Sequence, residues 1–295
     1  MRDFDFLQPV SVSEATHMLA DLGDECRIIA GGTALMLAMR QRMLTPTHLV
    51  SLGTLQDLKG IAYDETNGLR IGALALHADV ACSPLVQAHY PMLASMASRV
   101  ANPQVRNQGT IGGNLCYADP ATDPPGCLMA LDAQVVVTGT QGDRVMGIEE
   151  FLVDYYTTAL APDELLSEIR IAPPRPGTTG VYSRFLRTAA EHRPLASVAA
   201  SARRSGATWQ DIRIAVGAST PIPLRVRRAE AFLTQGEATA DRIAETADIV
   251  AADIEPVSDA RGEAEYRRDM VRVVARRTLL ELFGLHHDEE QGVRP

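Results

Sequence analysis

The sequence predicts an α+β protein of two or three compact units, and three observations carry that reading. A strand, a Gly-Gly turn, a helix and a second strand follow one another between Arg27 and Leu52. Two hairpin signals come next. Beyond them a Pro- and Gly-dense break precedes three strand candidates and three helical segments. A chain of 295 residues is long for one core, so several units are expected. At 46% hydrophobic and 22% charged, it has the composition of a soluble globular protein.

Ser11 to Gly23 offers a Ser cap, apolar residues at helical spacing and a terminal Gly, and reads as a short helix. Arg27 to Ala30 reads as a buried strand, Gly31-Gly32-Thr33 as a tight turn, and Ala34 to Met43 as a helix that stops before Thr45-Pro46. His48 to Leu52 is a second buried strand, and such a unit is most easily built as a right-handed parallel crossover. From Gly60 two strand-like runs are joined through Asn67-Gly68, a strong hairpin signal. A helix-like segment over Pro84 to Val100, a hairpin around Gln141-Gly142-Asp143 and a strand ending at Ile171 complete this part. Ala172 to Gly180 (APPRPGTTG) is a linker. Strand candidates over Val181–Ala189, Ala196–Gly206 and Trp209–Ser219 follow, and the last helical segment runs from Arg261 to Phe283.

Several function classes are disfavoured. A formal net charge of -9 gives no general attraction for nucleic acid or anionic membrane. No run of about 18 apolar residues suggests a membrane span, and the N-terminus lacks the apolar region of a secretory signal. Cys26, Cys82, Cys116 and Cys127 form no C-x-x-C pair. That favours reduced thiols in a cytoplasmic protein over disulfides, and argues against an iron-sulfur cluster or structural zinc in this chain.

Two segments carry chemistry. The strand, Gly-Gly turn and helix start near Gly31 gather unpaired N–H groups at one point, a seat suited to phosphate. Glycine there lets an anion approach the backbone. The same pair also serves as a mere tight connection. It has neither the Lys-Ser/Thr of a Walker loop nor the third glycine of the dinucleotide fingerprint. The segment GTIGGNLCYADPATDPPG, Gly109 to Gly126, offers a second glycine turn, Thr110 and Asn114 as side-chain donors, and Asp123 as an acceptor for hydroxyls. Two such turns about eighty residues apart suit a ligand with two phosphates and a polyhydroxylated chain, a description FAD fits.

AGGTALM, NPQVRNQGTIGGNLCYADPATDPPG, TTALAPDELLSEIRI, VYSRFLRTA, IRIAVGA and RGEAEYRRDMVRVVARR together resemble the FAD-binding medium subunit of the molybdenum hydroxylases, the family of carbon monoxide dehydrogenase and xanthine dehydrogenase. The resemblance covers nearly the whole chain in order. It implies an FAD-binding domain of the PCMH type over residues 1–174, with a small parallel α/β subdomain (about 1–55) and an antiparallel-sheet subdomain (about 56–174). A C-terminal domain of three antiparallel strands and three helices is implied over 178–290. It further implies FAD held by Ala30, Gly31, Gly32, Thr33, Ala34 and Leu35 of the first loop and by Thr110, Ile111, Gly112, Gly113 and Asn114 of the second. Asp123 would meet the flavin's sugar chain, Leu166 would lie near the isoalloxazine ring, and Arg184 stands where many relatives carry Lys. His77 matches a position where relatives have His or Thr on the flavin side, and a purely structural role fits it equally.

By the same resemblance, a large partner subunit oxidises a substrate at a molybdenum cofactor. A small one with two [2Fe-2S] clusters carries electrons to the flavin, which passes them to an external acceptor, and the assembly is a dimer of heterotrimers. Positioning a cofactor requires no catalytic side chain, and none is assigned. A stand-alone flavin oxidase or reductase is the alternative, and a flavin-free scaffold a third. The chain departs from the family pattern at Gly-Gly-Thr-Ala and in TAAEHRPLA after Arg187, where the acceptor side of the flavin would lie. His286-His287 and the pairs Arg267-Arg268 and Arg276-Arg277 read as solvated or as subunit contacts. Cys116 and Cys127 read as buried inert thiols, and Tyr117 has no assigned role.

Overall fold

Residues 2–206 and 208–285 are described by a computed structural model; His286-His287 lies outside them. Strand β1 (Asp5–Leu7), helix α1 (Val12–Leu22), strand β2 (Cys26–Ile29), helix α2 (Leu35–Arg40) and strand β3 (His48–Ser51) open the chain. Ser11 caps α1 by accepting the Glu14 N–H at 3.1 Å. β3 lies between β1 and β2, parallel to both, with Cys26 opposite His48 and Ile29 opposite Ser51. The expected crossover is therefore present. The strand β1, three residues long, was too short to show a periodicity. Helix α2 ends earlier than expected, close to Arg42 at φ 59°, a backbone angle that cannot continue a helix.

β4 (Ile61–Asp64) and β5 (Gly68–Gly72) form the Asn67-Gly68 hairpin. The Asp64 carboxylate accepts from the N–H groups of Thr66 and Asn67 at 2.9 and 2.7 Å, and Gly68 sits at φ 81°. Helices α3 (His77–Cys82), α4 (Pro84–His89), α5 (Pro91–Arg99), α6 (Pro103–Arg106), α7 (Ile111–Tyr117) and α8 (Pro124–Ala130) follow. The helix-like stretch from Pro84 divides at Pro91, which has no N–H to continue the ladder and holds Tyr90 out of the helical region at φ -137° and ψ 59°. Next come β6 (Gln134–Gly139), β7 (Gly142–Gly147), α9 (Ile148–Phe151), the small β8 (Leu152–Asp154) and β9 (Thr157–Thr158) pair, and β10 (Leu165–Ile171). β10 lies in the middle of an antiparallel sheet ordered β4-β5-β10-β6-β7.

β11 (Thr178–Phe185), β12 (Ala196–Ser205), β13 (Thr208–Gly217) and β14 (Leu224–Arg225) form a further antiparallel sheet in chain order, followed by α10 (Arg227–Thr234), α11 (Ala240–Ala252) and α12 (Ala264–Leu282). The two-residue β14 adds a fourth strand to the three expected. Alternation along β12 shows how the sheet is used. Ala196, Val198, Ala200 and Ala202 face the core shared with α10–α12, whereas Ala199 joins the core of the antiparallel-sheet unit. Ser201, pointing the same way as Ala199, donates to the Ala130 carbonyl of α8 at 2.7 Å. The sheet is thus buried on both faces, which joins the C-terminal unit to the rest. No helix of the described residues is long and apolar enough to cross a membrane.

Candidate cofactor cradle

The two glycine segments, about eighty residues apart in sequence, meet backbone to backbone. A Cβ built on Gly31 would stand 2.1 Å from the Gln108 carbonyl oxygen and 2.8 Å from the Gly109 Cα, so only glycine fits. Gly32 sits at φ 70°, in the left-handed region that disfavours a side chain. The Cβ position of Gly109 lies 3.4 Å from both the Thr33 hydroxyl and the His77 ring, and that of Gly113 lies 3.8 Å from the Ala30 methyl. Ala30, Gly31, Thr33, His77, Thr110 and Gly113 therefore surround one place. Ala34 and Leu35 continue the first loop into α2, while the Ile111 side chain is fully buried in the core.

Accounting for the backbone donors separates the two segments. Among the described residues, the N–H groups of Gly31, Gly32, Thr33, Ala34 and Leu35 find no acceptor in the protein. The second segment, expected to be rich in free N–H groups, uses nearly all of its own. Ile111 and Gly112 donate to the Ala75 and Ala73 carbonyls, both at 2.9 Å, and Asn114 donates to the Thr110 carbonyl at 3.0 Å. Gly113 donates to the Thr110 hydroxyl at 3.1 Å, the cap of α7. In return the His77 N–H donates to the Gly109 carbonyl at 3.1 Å. The glycine at 112 also has a different cause from the expected one. A Cβ there would stand 2.5 Å from the Ala73 Cβ and 2.6 Å from its carbonyl oxygen. Packing of α7 on the strand end is enough to require glycine at 112.

Two side-chain atoms of this cluster, His77 Nδ1 and Asn114 Oδ1, are buried without any hydrogen-bond partner. A buried polar atom left unpaired is costly, and native proteins rarely leave one without a purpose. Burial, with the nearby Arg106 charge, pushes the His77 imidazole down to about 4, so it is neutral at physiological pH.

Asp123 and Arg184 are brought together, but toward each other. Asp123, 2% exposed, accepts from the Tyr182 hydroxyl at 2.5 Å and from Arg184 Nη1 at 2.8 Å. Burial pushes its carboxyl up, and Arg184 and Tyr182 pull it back. Arg99 donates to the Tyr182 carbonyl at 2.7 Å. Tyr182 and Arg99 were missed by the sequence reading: within VYSRFLRTA only Arg184 drew a role, and Arg99 stands in no motif. Tyr182 merely occupies an inward position of β11. Leu166 is buried on β10, and the backbone beside it touches the Cys116 thiol, which burial pushes up to about 12. Cys127 is also buried and its thiol raised, so neither carries a reactive thiolate at neutral pH. Arg267, expected on a solvated face, is instead 2% exposed and donates to the Ala218 carbonyl at 3.2 Å and to Asp259. The helix-face pattern was right for Arg276 and Arg277, both exposed.

Comparison with known proteins decides what this arrangement belongs to. Residues 2–174 match the family model described as FAD binding domain in molybdopterin dehydrogenase, and residues 181–282 match the CO dehydrogenase flavoprotein C-terminal domain. The chain belongs to the FAD-binding medium subunits of the molybdenum hydroxylases. This medium subunit is 34% identical to the carbon monoxide dehydrogenase medium chain of Hydrogenophaga pseudoflava, over 94% of this chain and 96% of that one. It is 33% identical to the nicotine 6-hydroxylase medium subunit of Paenarthrobacter nicotinovorans, over 94% and 96%. Among solved structures, carbon monoxide dehydrogenase from Hydrogenophaga pseudoflava superposes with a TM-score of 0.93 at 34% identity, covering 97% of this chain and 99% of that one. Quinoline 2-oxidoreductase from Pseudomonas putida 86 does so with a TM-score of 0.90 at 28% identity, covering 96% and 98%.

The residues of this medium subunit fit FAD. Five adjacent amides without acceptors suit a pyrophosphate, and the unpartnered His77 Nδ1 and Asn114 Oδ1 offer hydrogen-bonding positions to the polar groups of the same molecule. As a member of the family it is an oxidoreductase subunit.

Proposed function

We propose that this medium subunit holds FAD with its pyrophosphate on the amides of Gly31 to Leu35, in a cradle whose other wall is Thr110, Ile111, Gly113 and Asn114. Ala30 and Thr33 border the phosphates. Asp123, tethered by Tyr182 and Arg184, is available to a sugar hydroxyl through its remaining lone pairs. Leu166 and the neutral His77 flank the ring. Bound FAD supplies the exchange between single electrons and electron pairs. The chain's own residues contribute orientation: the Gly31–Gln108 contact fixes the distance between the two walls, and the Asp123–Arg184 pair ties the cradle to β11.

In this reading residues 1–174 form the cofactor domain, divided near residue 55, and 178–290 the C-terminal domain. The subunit works in the cytoplasm, in a dimer of heterotrimers with a large molybdenum-cofactor subunit and a small subunit bearing two [2Fe-2S] clusters. It takes electrons from those clusters and passes them to an external acceptor. Substrate choice is assigned to the large subunit, in keeping with relatives of one-third identity named for carbon monoxide and for nicotine.

The observation that carries the proposal is the run of five amides without protein acceptors, beside two buried polar atoms without partners. The experiment is purification of the chain alone and with the products of neighbouring genes, followed by visible spectra before and after addition of candidate substrates. Flavin in the chain, bleached only when both partners are present, is the expected result. Substrate oxidation by the chain alone would replace the proposal with a self-sufficient flavoenzyme, and absence of flavin from every preparation would end it.

A further inference from the structure

A cavity of about 350 Å³ lies in the seam between the antiparallel-sheet unit and the β11–β14 sheet, and the segment that joins the two lines it. Strand pairing explains how it is built. Gly180, Ser201 and Arg213 stand in one row across β11, β12 and β13, and Ser201 fastens that row to α8 through the Ala130 carbonyl. A Cβ on Gly180 would stand 3.0 Å from the Met92 sulfur, so the sheet meets α5 there with no side chain between. Beyond this row β12 changes from small buried residues to Arg203 and Arg204, whose charge keeps the end of the sheet out of a closed core. The joining segment forms the remaining side. The Tyr90 hydroxyl donates to the Ala172 carbonyl at 2.8 Å, and Pro173 and Pro174 have no N–H with which to fold the backbone inward.

The lining has an apolar part, with Met92, Leu131, Ile171, Pro173 and Pro174, and a charged part, with Arg175, Arg203, Arg213, Asp132 and Asp211. Both carboxylates are already committed. Asp211 accepts from Arg203 Nε at 2.7 Å and from Arg175 Nη1 at 3.3 Å, and the bond from Arg203 holds its carboxyl below the ordinary range. Asp132 accepts from Arg213 Nη2 at 3.1 Å, with Arg225 Nη1 at 3.6 Å as a second cation. Donors are left over on the arginines. Arg213 Nε is buried without a partner, a costly state for part of a charged group. Among the described residues, Arg213 engages a partner through Nη2 only, and Arg175, 72% exposed, through Nη1 only. Three guanidiniums line the cavity against two carboxylates, and the unused hydrogen-bonding capacity is on the cations.

We propose that this cavity binds a monocarboxylic acid with an apolar body, its carboxylate on the free edges of Arg213 and Arg175 and its body against Met92, Leu131 and Pro173. Planar guanidiniums with free edges form charge-assisted, often paired hydrogen bonds to a carboxylate. Asp132 and Asp211 repel any second negative charge, which disfavours dicarboxylates and phosphates. The volume falls at the lower end of the roughly 300–1,000 Å³ of ligand pockets, and apolar walls with a few orienting polar groups are their usual make-up. The site uses none of the residues assigned to the FAD cradle and stands independently of that assignment.

The test is calorimetric titration of the full chain, carrying its flavin, with benzoate, octanoate, acetate and benzyl alcohol in separate runs. Wild type is compared with Arg213→Gln, Arg175→Gln and, outside the cavity lining, Arg228→Gln, whose wild-type partner is Asp253, as a control for net charge. Wild type is expected to bind benzoate or octanoate about tenfold or more tightly than acetate, which lacks the body, and than benzyl alcohol, which lacks the charge. Arg213→Gln is expected to weaken binding of the acid about tenfold or more, and the exposed Arg175→Gln about twofold or more. Arg228→Gln is expected to bind as wild type does, and all variants to keep their flavin. Binding of neither acid by wild type, acetate or benzyl alcohol bound as tightly, or Arg213→Gln indistinguishable from wild type would each overturn the proposal. Should Arg213→Gln fail to fold, Arg175→Gln carries the comparison, and unchanged binding there overturns the proposal in the same way.

Discussion

Replacing Gly31 by Ala tests the contact on which the cradle depends. The new Cβ would start 2.1 Å from the Gln108 carbonyl oxygen, 2.8 Å from the Gly109 Cα and 2.9 Å from the Gln108 carbonyl carbon. All three neighbours are backbone, so no rotamer change relieves them. The two segments must separate by roughly 1.3 Å or more to reach ordinary van der Waals distance. Such overpacking costs about 1–3 kcal/mol, which in a domain of this size lowers the melting temperature by roughly 2–12 °C. Cofactor retention is expected to suffer more than the fold, because a misplacement of about 1 Å at a site that relies on orientation costs up to about a hundredfold. The assay is flavin bound per chain after gel filtration, read from the visible spectrum, with thermal unfolding of the same sample. Gly32→Ala, whose Cβ would meet only side-chain atoms at 3.3 Å or beyond, is the milder comparison, with a strain of about 1 kcal/mol. Full flavin content and an unchanged melting temperature in Gly31→Ala would refute the reasoning, since the two walls could not then be in contact.

Gly112→Val is expected to abolish folding and not merely flavin binding, because its side chain would collide with the Ala73 backbone; soluble expression and circular dichroism check this. His77 gives a pH dependence. Its folded-state value is about 4 against 6.5 when unfolded, so the unfolded chain binds the extra proton between these values. Stability therefore falls as pH drops from 6.5 toward 4, by about 3 kcal/mol in all, and His77→Gln should flatten that part of a urea-denaturation profile. Arg184→Ala leaves the buried Asp123 without its cation and is expected to cost about 3–5 kcal/mol, whereas Tyr182→Phe removes one hydrogen bond, for about 1–2 kcal/mol. Chemical denaturation of both single variants and the double variant gives their coupling.

What could be read from sequence was local. The Asn67-Gly68 hairpin, the Ser11 cap and the β2–α2–β3 crossover each follow from residues within a few positions of one another or from an apolar period, and all are present in the fold. Residue motifs also singled out the two glycine segments that meet in the fold. Composition could not tell which glycine does what. Gly31, Gly112 and Gly113 look alike in a string, yet one abuts Gln108, one Ala73 and one Thr110. Nor could it tell that Arg267 is buried while Arg276 is exposed on the same helix, because that depends on what packs against each turn.

The sequence by itself determined the longer elements and their order, the two places where backbone must pass closely and, through its motifs, the family and its cofactor. Short-range sterics and hydrogen bonding suffice for the first two, since glycine, proline and capping residues act on their own neighbours. Tertiary structure alone decided that the first loop keeps its amides free while the second uses its own on Ala73, Ala75 and Thr110. It also set Asp123 between Tyr182 and Arg184, and gathered Leu131, Arg175 and Arg213 around one cavity. These are contacts between residues tens of positions apart, and the burial and hydrogen-bond competition that arise there give each donor, acceptor and charge its remaining capacity to bind.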